Sequence, residues 1–261
     1  MAAVTPAADA AFDSWLEALE RRHLSDLTFS EARRGLQALS RWYVERRERG
    51  RPIRKGVALD GAGKRAAFAL FYGPLHFLIV RHIVGETGLV SRSLSRLDDL
   101  GCGTGAASAA WTLSLPAPAP RLSGVDSNAW AVAETRWTWD WFGLEGQVRR
   151  GDLTRARLGG RWRAILAAYA ANELPADARE TLKKDLLAAA SAGARVLVVE
   201  PIARRLAPWW DDWARAFEAA GGRADQWRLR VALPERLKLL DRAAGLDHDE
   251  LTARSLCLPG G

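Results

Sequence analysis

The chain has 261 residues, of which 48% are hydrophobic and 26% charged, and its formal net charge is +7 with a sequence pI near 10.0. This length and composition can bury a substantial core and exclude a wholly disordered chain. The presence of only two cysteines excludes a disulfide framework and a cysteine-only zinc site. The first residues lack a basic start followed by an apolar run, so we expect no secretory signal and a cytoplasmic location.

Positive charge is concentrated in the segment 32–65, which contains eleven Lys and Arg residues against three acids. A block of this kind attracts phosphate groups electrostatically and predicts RNA as a partner through this segment. The alternative is a solvated helix face in an arginine-rich protein. The basic residues are Arg33, Arg34, Arg41, Arg46, Arg47, Arg49, Arg51, Arg54, Lys55, Lys64 and Arg65.

The segment 10–50 shows the helical spacing of apolar residues, with Ser30 as the expected N-cap of a helix that ends at Gly50. A basic, glycine-rich connector follows over 51–65. The next apolar stretch predicts a pair of helices hinged at Gly73-Pro74. Its longest apolar run is shorter than the roughly 20 residues that a membrane-spanning helix needs, so we expect no membrane contact.

From Arg96 onwards, candidate strands alternate with candidate helices. This alternation is typical of an α/β fold, in which helices cover both faces of a parallel sheet. The end of the chain adds a helix, a strand, a short helix and a last strand, which predicts an antiparallel edge. We therefore predict a Rossmann-like sheet domain over 95–261, preceded by a helical extension or lid over 1–94. The candidate strands are 96–100, 121–126, 147–152, 163–170, 194–201, 227–233 and 251–258.

A glycine-rich turn with the sequence LGCGTG ends the first predicted strand. Gly101, Gly103 and Ala106 satisfy the G-x-G-x-x-A dinucleotide fingerprint, so a nicotinamide cofactor is one interpretation. Asp98 and Asp99 stand directly before the turn, where carboxylates would repel a pyrophosphate but attract a cationic group. The acids therefore favour a ligand with a positively charged end.

Two further acids follow the next two predicted strands. Asp126 ends the second strand, where a carboxylate can accept hydrogen bonds from both ribose hydroxyls, and Asp152 follows the third, where it suits an adenine amino group. Ligands bind an open α/β sheet at the carboxyl ends of its strands. The three sites predict a ligand that is cationic at one end and a nucleoside at the other.

The ordered motifs LDDLGCGTG, GVDSN, RGDL and ILAAYAANELP resemble those of class I S-adenosylmethionine-dependent methyltransferases. The resemblance implies methyl transfer with S-adenosyl-L-methionine as cofactor. It also implies that Asp99 orients the loop or the methionine amine, that Asp126 holds the ribose, and that Asp152 holds the adenine with Leu153 packing on the ring. The implied cofactor-binding residues are Asp99, Gly101, Cys102, Gly103, Gly105, Asp126, Ser127, Asp152, Leu153 and Tyr169.

A narrower resemblance rests on FALFYGPLHFL ahead of the first strand, YAANELP after the fourth and VVEP at the end of the fifth. These motifs are similar to those of the methyltransferase-like family associated with the mitochondrial small ribosomal subunit and its bacterial relatives. Long members of that family carry extra cysteines that ligate an iron–sulfur cluster. This chain has only Cys102 and Cys257, so no cluster is expected.

Acceptor-facing residues are expected after the fourth strand, where the motif AANELP lies. Asn172 can both donate to and accept from an acceptor and Glu173 can take a proton, so these two are the predicted catalytic residues. Alternatively, Asn172 caps the helix that starts near Ala176, and Glu173 pairs with an arginine. Methyl transfer requires no metal, and the four histidines show no metal-ligand spacing, so no metal is predicted.

Aromatic residues provide further candidates. Tyr72 and His76 lie four residues apart ahead of the sheet and are predicted substrate contacts, the alternative being a hydrogen-bonded core histidine. Trp130, Trp137 and Trp141 share one helical face and are expected to pack in the core, with a stacking platform as the alternative.

These features support three functions. The leading interpretation is a methyltransferase that acts on RNA, with ribosomal RNA as the first expected acceptor. A second is methylation of a small molecule or natural-product intermediate in a pocket lined by tryptophans. A third is a ribosome assembly factor that binds the cofactor without catalysis. The sequence predicts neither the methylated atom nor the oligomeric state.

Overall fold

The computed structural model describes residues 6–49, 59–90, 94–203, 207–246 and 248–260, without the side chains of 6–9 and 43–49. Its contacts form two compact units, one of Met1–His76 with Leu229–Leu251 and the other of Phe77–Arg228 with Thr252–Gly261. The predicted domain boundary between residues 94 and 95 stays a prediction. The predicted basic segment falls partly outside the described residues, namely at Arg51, Arg54, Lys55 and the side chains of Arg46, Arg47 and Arg49.

A seven-stranded sheet lies in the second unit. Its strand order is β3-β2-β1-β4-β5-β7-β6, with β1 to β5 parallel and β7 antiparallel to β5. The predicted Rossmann-like sheet, with its antiparallel strand from the chain end, is confirmed. The strands are β1 (Arg96–Leu100), β2 (Arg121–Asp126), β3 (Gly146–Arg150), β4 (Arg163–Ala168), β5 (Arg195–Glu200), β6 (Arg223–Leu229) and β7 (Leu251–Leu258).

Helices connect most successive strands of the sheet, since parallel neighbours need a crossover, and the connection from β3 to β4 contains only a short 3₁₀ helix. The connecting helices are α5 (Ala106–Leu113), α6 (Ala129–Trp141), α7 (Ala176–Ser191) and α8 (Trp210–Ala219). α7 buries Leu182, Leu186 and Ala189 at helical spacing against β5, all six residues of which are buried. Since β1 lies between β2 and β4, the loops that follow these three strands meet at one edge of the sheet.

The first unit is helical. It contains α1 (Pro6–His23), α2 (Phe29–Arg49), α3 (Ala62–Ala67), a π-helical turn (Phe68–Tyr72), the start of α4 (Gly73–Glu86) and α9 (Glu235–Ala243). α2 begins with a capping box, in which Thr28 N–H donates to Glu31 Oε2 at 2.8 Å and Glu31 N–H to Thr28 Oγ1 at 3.3 Å. The prediction that Ser30 is the N-cap of this helix is therefore wrong, because Glu31 forms the capping hydrogen bonds with Thr28.

The hinge predicted at Gly73-Pro74 is also wrong. Helical structure continues over Ala62–Glu86, and Gly73 itself is right-handed helical with φ −54° and ψ −54°. The π-helical turn that ends at Tyr72 shifts the hydrogen-bond pattern just before Pro74, the residue without an N–H. This 25-residue segment is long and apolar enough to cross a membrane, since its most apolar 18-residue window has a mean hydropathy of 1.5. However, 72% of that window is buried inside the protein.

Candidate active site

Three glycines in the left-handed region build the turn after β1. Gly101, Gly103 and Gly105 have φ values of 77°, 56° and 73°, which residues with a Cβ rarely adopt. At Gly101 a Cβ would also lie 2.7 Å from the Cβ of Ala170. α5 begins directly after Gly105, and a glycine turn that leads into a helix lets a ligand approach the backbone closely.

Asp126 joins the end of β2 to this turn. Its Oδ2 accepts a hydrogen bond from Gly103 N–H at 3.0 Å, and its Oδ1 accepts one from Asn128 N–H at 2.8 Å. Burial raises the pKa of the Asp126 carboxyl, against the lowering effect of these hydrogen bonds. The carbonyl of the next residue, Ser127, accepts a hydrogen bond from Arg150 Nε at 3.0 Å. The predicted ribose acid and the glycine turn are thus brought together.

Asp99 is a buried acid with an unsatisfied oxygen. It is 1% exposed, and within the described part of the chain its Oδ2 has no hydrogen-bond partner. Burial raises the pKa of Asp99 to about 7, and the charge of Asp126 adds to this, whereas a hydrogen bond from Ser108 opposes it. A cationic ligand group would supply the missing donor and the opposite charge. The residues of this site therefore fit S-adenosylmethionine.

Asp98 lies on the opposite face of β1 from Asp99, because side chains alternate along a strand. Its Oδ1 is 2.7 Å from Arg96 Nε, and its Oδ2 is 3.4 Å from Arg163 Nη1. The expectation that Asp98 contributes to a site for the cationic end of a ligand is therefore wrong. Its charge is compensated within the sheet.

Asp152 and Leu153 follow β3 and have different structural roles. The Oδ1 of Asp152 caps a short 3₁₀ helix, Leu153–Arg155, by accepting hydrogen bonds from Thr154 N–H at 3.0 Å and Thr154 Oγ1 at 2.8 Å. Leu153 lies against the glycine turn, with its Cδ2 3.4 Å from the position of a Cβ on Gly101. Leu153 therefore joins the site through packing, while Asp152 orders the loop.

Cys102 has a packing role in the turn. Its side chain is buried, and its Sγ accepts a hydrogen bond from Thr135 Oγ1 of α6 at 3.3 Å. The same hydroxyl lies 2.9 Å from the carbonyl oxygen of Gly103. Burial raises the pKa of the Cys102 thiol well above its usual range, so the thiol is neutral. α6 thereby holds the turn in place.

Asn172 lies in a 3₁₀ helix, Ala171–Glu173, after β4. Both the nitrogen and the oxygen of its side-chain amide are hydrogen-bonded. Its Nδ2 donates to Glu200 Oε2 at 2.6 Å, and its backbone N–H donates to Glu200 Oε1 at 3.0 Å. Its Oδ1 accepts a hydrogen bond from Trp209 Nε1 at 3.0 Å. α7 starts after Pro175, so Asn172 does not cap that helix. Glu173, beside it, is exposed.

Glu200, at the end of β5, is a site residue that was not predicted. The available signal was an acid at a strand end, as at Asp126. Its side chain is fully buried, and burial raises its pKa to about 8, helped by the charge of Glu173 and opposed by a hydrogen bond from Asn172 and the charge of Arg254. The contact between Glu200 and Asn172 joins two strands and is invisible in sequence spacing.

Tyr169 directly follows β4, ahead of Asn172 in the chain, and adopts a φ of 58°. A non-glycine residue in this region is strained, and its conformation is held by its N–H, which donates to Val199 O at 2.7 Å. Burial raises the pKa of its phenol, and the charge of Glu200 adds to this effect. Tyr169 therefore lies near Glu200, and its predicted role in cofactor binding stays a prediction.

Tyr72 and His76 belong to the first unit. Their ring centroids are 6.4 Å apart, and both lie near the ring of Phe68. Burial lowers the pKa of His76 to about 3, so its ring is neutral, and raises that of Tyr72 to about 12. Their role as substrate contacts stays a prediction.

The prediction that a stripe of tryptophans on α6 packs in the core is wrong. Trp130, Trp137 and Trp141 are half-buried, and Trp139 is the tryptophan of α6 that is buried, at 2% exposure. Trp139 Nε1 donates to Ser108 Oγ at 3.1 Å, which ties α6 to α5. Among the residues that the structure describes, no group of three or more His, Cys, Asp and Glu side chains is placed to hold a metal ion.

Comparisons with known proteins give matches of fold. No family model and no curated protein matches the chain. It is similar to a solved SAM-dependent methyltransferase from Aquifex aeolicus, at 14% identity and a TM-score of 0.48, over 70% of this chain and 92% of that chain. It is also similar to magnesium protoporphyrin IX methyltransferase from Synechocystis PCC 6803, at 15% identity and a TM-score of 0.46, over 98% of each chain. A putative RNA methyltransferase from Pyrococcus horikoshii matches at 12% identity and a TM-score of 0.44, over 72% of this chain and 81% of that chain.

Proposed function

We propose that the chain is an S-adenosylmethionine-dependent methyltransferase. The observation that carries the proposal is the buried Asp99 oxygen without a donor, beside a second acid, Asp126, and a glycine turn. A nicotinamide dinucleotide would place a pyrophosphate near two carboxylates, which repel it. At the methionine end of S-adenosylmethionine the ammonium and the sulfonium outweigh one carboxylate, so the two acids attract this end.

The residues at the carboxyl ends of β1, β2 and β3 each have a role in this proposal. Asp99 would accept hydrogen bonds from the ammonium of the methionine part, and Asp126 would accept them from the ribose hydroxyls. Asp152 would accept from the adenine amino group, with Leu153 packed against the ring. Because Gly101 has no Cβ, the turn after β1 can lie close to Ala170 without a steric clash. When bound, the cofactor supplies an electrophilic methyl group on its sulfonium.

The residues after β4 and β5 would position the acceptor. Methyl transfer is an in-line displacement, so positioning supplies much of its acceleration. Asn172 is suited to orient an acceptor because Glu200 and Trp209 hold its amide from both ends. The exposed Glu173 would take the proton that the acceptor releases.

We infer further that the acceptor is RNA, with ribosomal RNA as the first candidate, and that the chain acts in the cytoplasm. The support is the net charge of +7 and the basic segment 32–65, in which Arg34 and Arg41 are exposed. The predicted extension over 1–94 would contribute to acceptor recognition. A small flat acceptor is the second candidate, favoured by the half-buried Trp209 beside Asn172.

The proposal is tested by incubating the purified chain with methyl-radiolabelled cofactor and separate RNA and small-metabolite fractions of the host. Label in RNA, absent with Asp126→Asn and retained with Asp140→Asn on the exposed side of α6, supports the leading function. Label in the small-metabolite fraction supports the second candidate. Cofactor binding without transfer to either fraction indicates a non-catalytic assembly factor, and failure to bind the cofactor contradicts the proposal.

A further inference from the structure

The segment 149–163 is rich in uncompensated arginine. It contains six arginines and a single acid, Asp152. Arg163 pairs with Asp98, and Asp152 already accepts two hydrogen bonds from Thr154. The remaining five arginines are exposed, and among the described residues none of them has an ion-pair partner within 4 Å. They are Arg149, Arg150, Arg155, Arg157 and Arg161.

These arginines lie along one path on the second unit, the arginine crossover, which we define as residues 149–162. It starts at the carboxyl end of β3, the outermost strand, and returns to the amino end of β4. Within it Leu153, Ala156 and Leu158 pack against the hydrophobic core. Arg155 and Arg157, which alternate with these residues, are consequently exposed.

An exposed tryptophan ends the crossover. Trp162 is 56% exposed and adopts a φ of 65°, a conformation that is unfavourable for a residue with a Cβ. Its carbonyl accepts hydrogen bonds from Ser95 N–H at 2.8 Å and Ser95 Oγ at 3.0 Å, which hold the strained backbone in place. The indole is therefore kept in solvent beside Arg161, in an arrangement that core packing does not explain.

The crossover has the dimensions of a polymer site. β4 has six residues, which span about 20 Å at the usual rise of a strand. Arg150 lies at one end of this distance, opposite Asp126 in the strand register, and Arg161 lies at the other. A path of this length exceeds a small metabolite but accommodates several nucleotides. Its Arg150 end adjoins the candidate cofactor site.

We propose that the arginine crossover binds single-stranded RNA, with its arginines on successive phosphates and the Trp162 indole stacked on a base. Cationic side chains along a groove and an aromatic platform are the two elements of single-strand recognition. The choice of RNA rests on the proposed function, while the surface itself does not. Protection of a sheet edge from pairing would account for Arg149 and Arg150 but not for the three arginines beyond the strand or for Trp162.

The first test is the salt dependence of binding, measured by fluorescence anisotropy with a labelled twelve-nucleotide single-stranded RNA and the full chain without cofactor. Changing Arg155, Arg157 and Arg161 together to Ala should weaken binding at least about tenfold and reduce the slope of log K against log salt by about 2, because each phosphate contact contributes about 0.7. The matched control changes Arg215, Arg228 and Arg230, exposed on α8 and at the opposite edge of the sheet, and should weaken binding less than about threefold.

The second test distinguishes an effect of the Trp162 ring on RNA binding from an effect on the stability of the fold. Trp162→Gly removes the indole and relieves the positive φ, so the variant should unfold at the same or higher urea concentration while binding RNA about 5- to 100-fold more weakly. Trp162→Phe should keep most of the affinity. The same RNA as DNA, an RNA duplex and polyglutamate are the comparison ligands, and each should bind more weakly than the single-stranded RNA.

Three results would overturn the inference: equal losses for the two triple variants, unchanged binding by Trp162→Gly, or tighter binding of any comparison ligand. Calorimetric titration of the same variants with S-adenosylhomocysteine keeps this inference separate from the proposed function. Intact cofactor binding with lost RNA binding supports the crossover, whereas RNA binding without cofactor binding would contradict only the proposed function.

Discussion

The Asp126 carboxylate accepts a hydrogen bond from the backbone N–H of Gly103 at 3.0 Å, so the end of β2 holds the turn that follows β1. A second N–H, that of Asn128, occupies the other carboxylate oxygen. One side chain therefore orders the glycine turn and the start of α6, and it is also the predicted partner of the ribose. Substitutions at Asp126 should affect the ligand site before they affect the sheet.

Asp126→Asn should weaken binding of S-adenosylhomocysteine by more than about 1 kcal/mol, because an amide retains only one acceptor oxygen for two N–H groups and a ribose. Isothermal titration calorimetry measures the change. Asp140→Asn, on the exposed side of α6, is the matched control and should bind as the unmodified chain does. An unchanged affinity for Asp126→Asn would remove Asp126 from the cofactor site.

Asp99→Asn should change how stability depends on pH in the absence of cofactor. The folded-state pKa of Asp99 is raised to about 7, so its contribution to stability is present at low pH and is lost as the pH rises through 7. The Asn variant lacks this loss and should gain about 2 kcal/mol relative to the unmodified chain between pH 5 and pH 8. Urea unfolding at both pH values tests this, and parallel pH profiles of the two proteins would contradict it.

Gly101→Ala should destabilise the second unit more than Gly143→Ala does. Both glycines have positive φ, 77° and 66°, so both substitutions carry a backbone cost of about 1–2 kcal/mol. Only at Gly101 would the new Cβ meet another atom, Ala170 Cβ at 2.7 Å, whereas nothing lies within 4 Å at Gly143. The clash should add about 1–3 kcal/mol in urea unfolding. Equal losses would show that the loops do not approach each other so closely.

Asn172→Ala should cost more stability at high pH than at low pH. The substitution removes the amide donor to Glu200, whose pKa of about 8 leaves the buried carboxyl neutral at pH 6 and charged at pH 9. We expect a loss of about 1 kcal/mol at pH 6 and about 3 kcal/mol at pH 9 in urea unfolding. Trp209→Phe removes a donor to Asn172 only and should lose about the same amount at both pH values. A pH-independent loss for Asn172→Ala would contradict this account of Glu200.

The parts of the fold that depend on local pattern are predictable from the sequence. β1, β2 and β7 have the bounds predicted for them, because each is a short segment bounded by turn or loop residues. Because side chains alternate along a strand, the sequence of β1 already implies that Asp98 and Asp99 lie on opposite faces of the sheet. Only the structure shows that Asp98 is the one that pairs with Arg163. Local pattern therefore identifies strands and the loops that follow them.

Features that depend on contacts between distant segments are not predictable in this way. The amide of Asn172 meets Glu200 and Trp209 across 28 and 37 residues. Trp139, rather than the stripe of Trp130, Trp137 and Trp141, is buried because the orientation of α6 is set by its packing on the glycine turn and α5. α9 likewise groups with the helical first unit, although it lies between two strands of the sheet in sequence.

The most direct measurement is a calorimetric titration of the unmodified chain with S-adenosylhomocysteine and, separately, with NAD⁺. If Asp99, Asp126 and the glycine turn receive a cationic nucleoside, the first ligand binds saturably at one site per chain and the second produces no binding heat. Binding of NAD⁺ in place of S-adenosylhomocysteine, or heat from neither ligand, would contradict it.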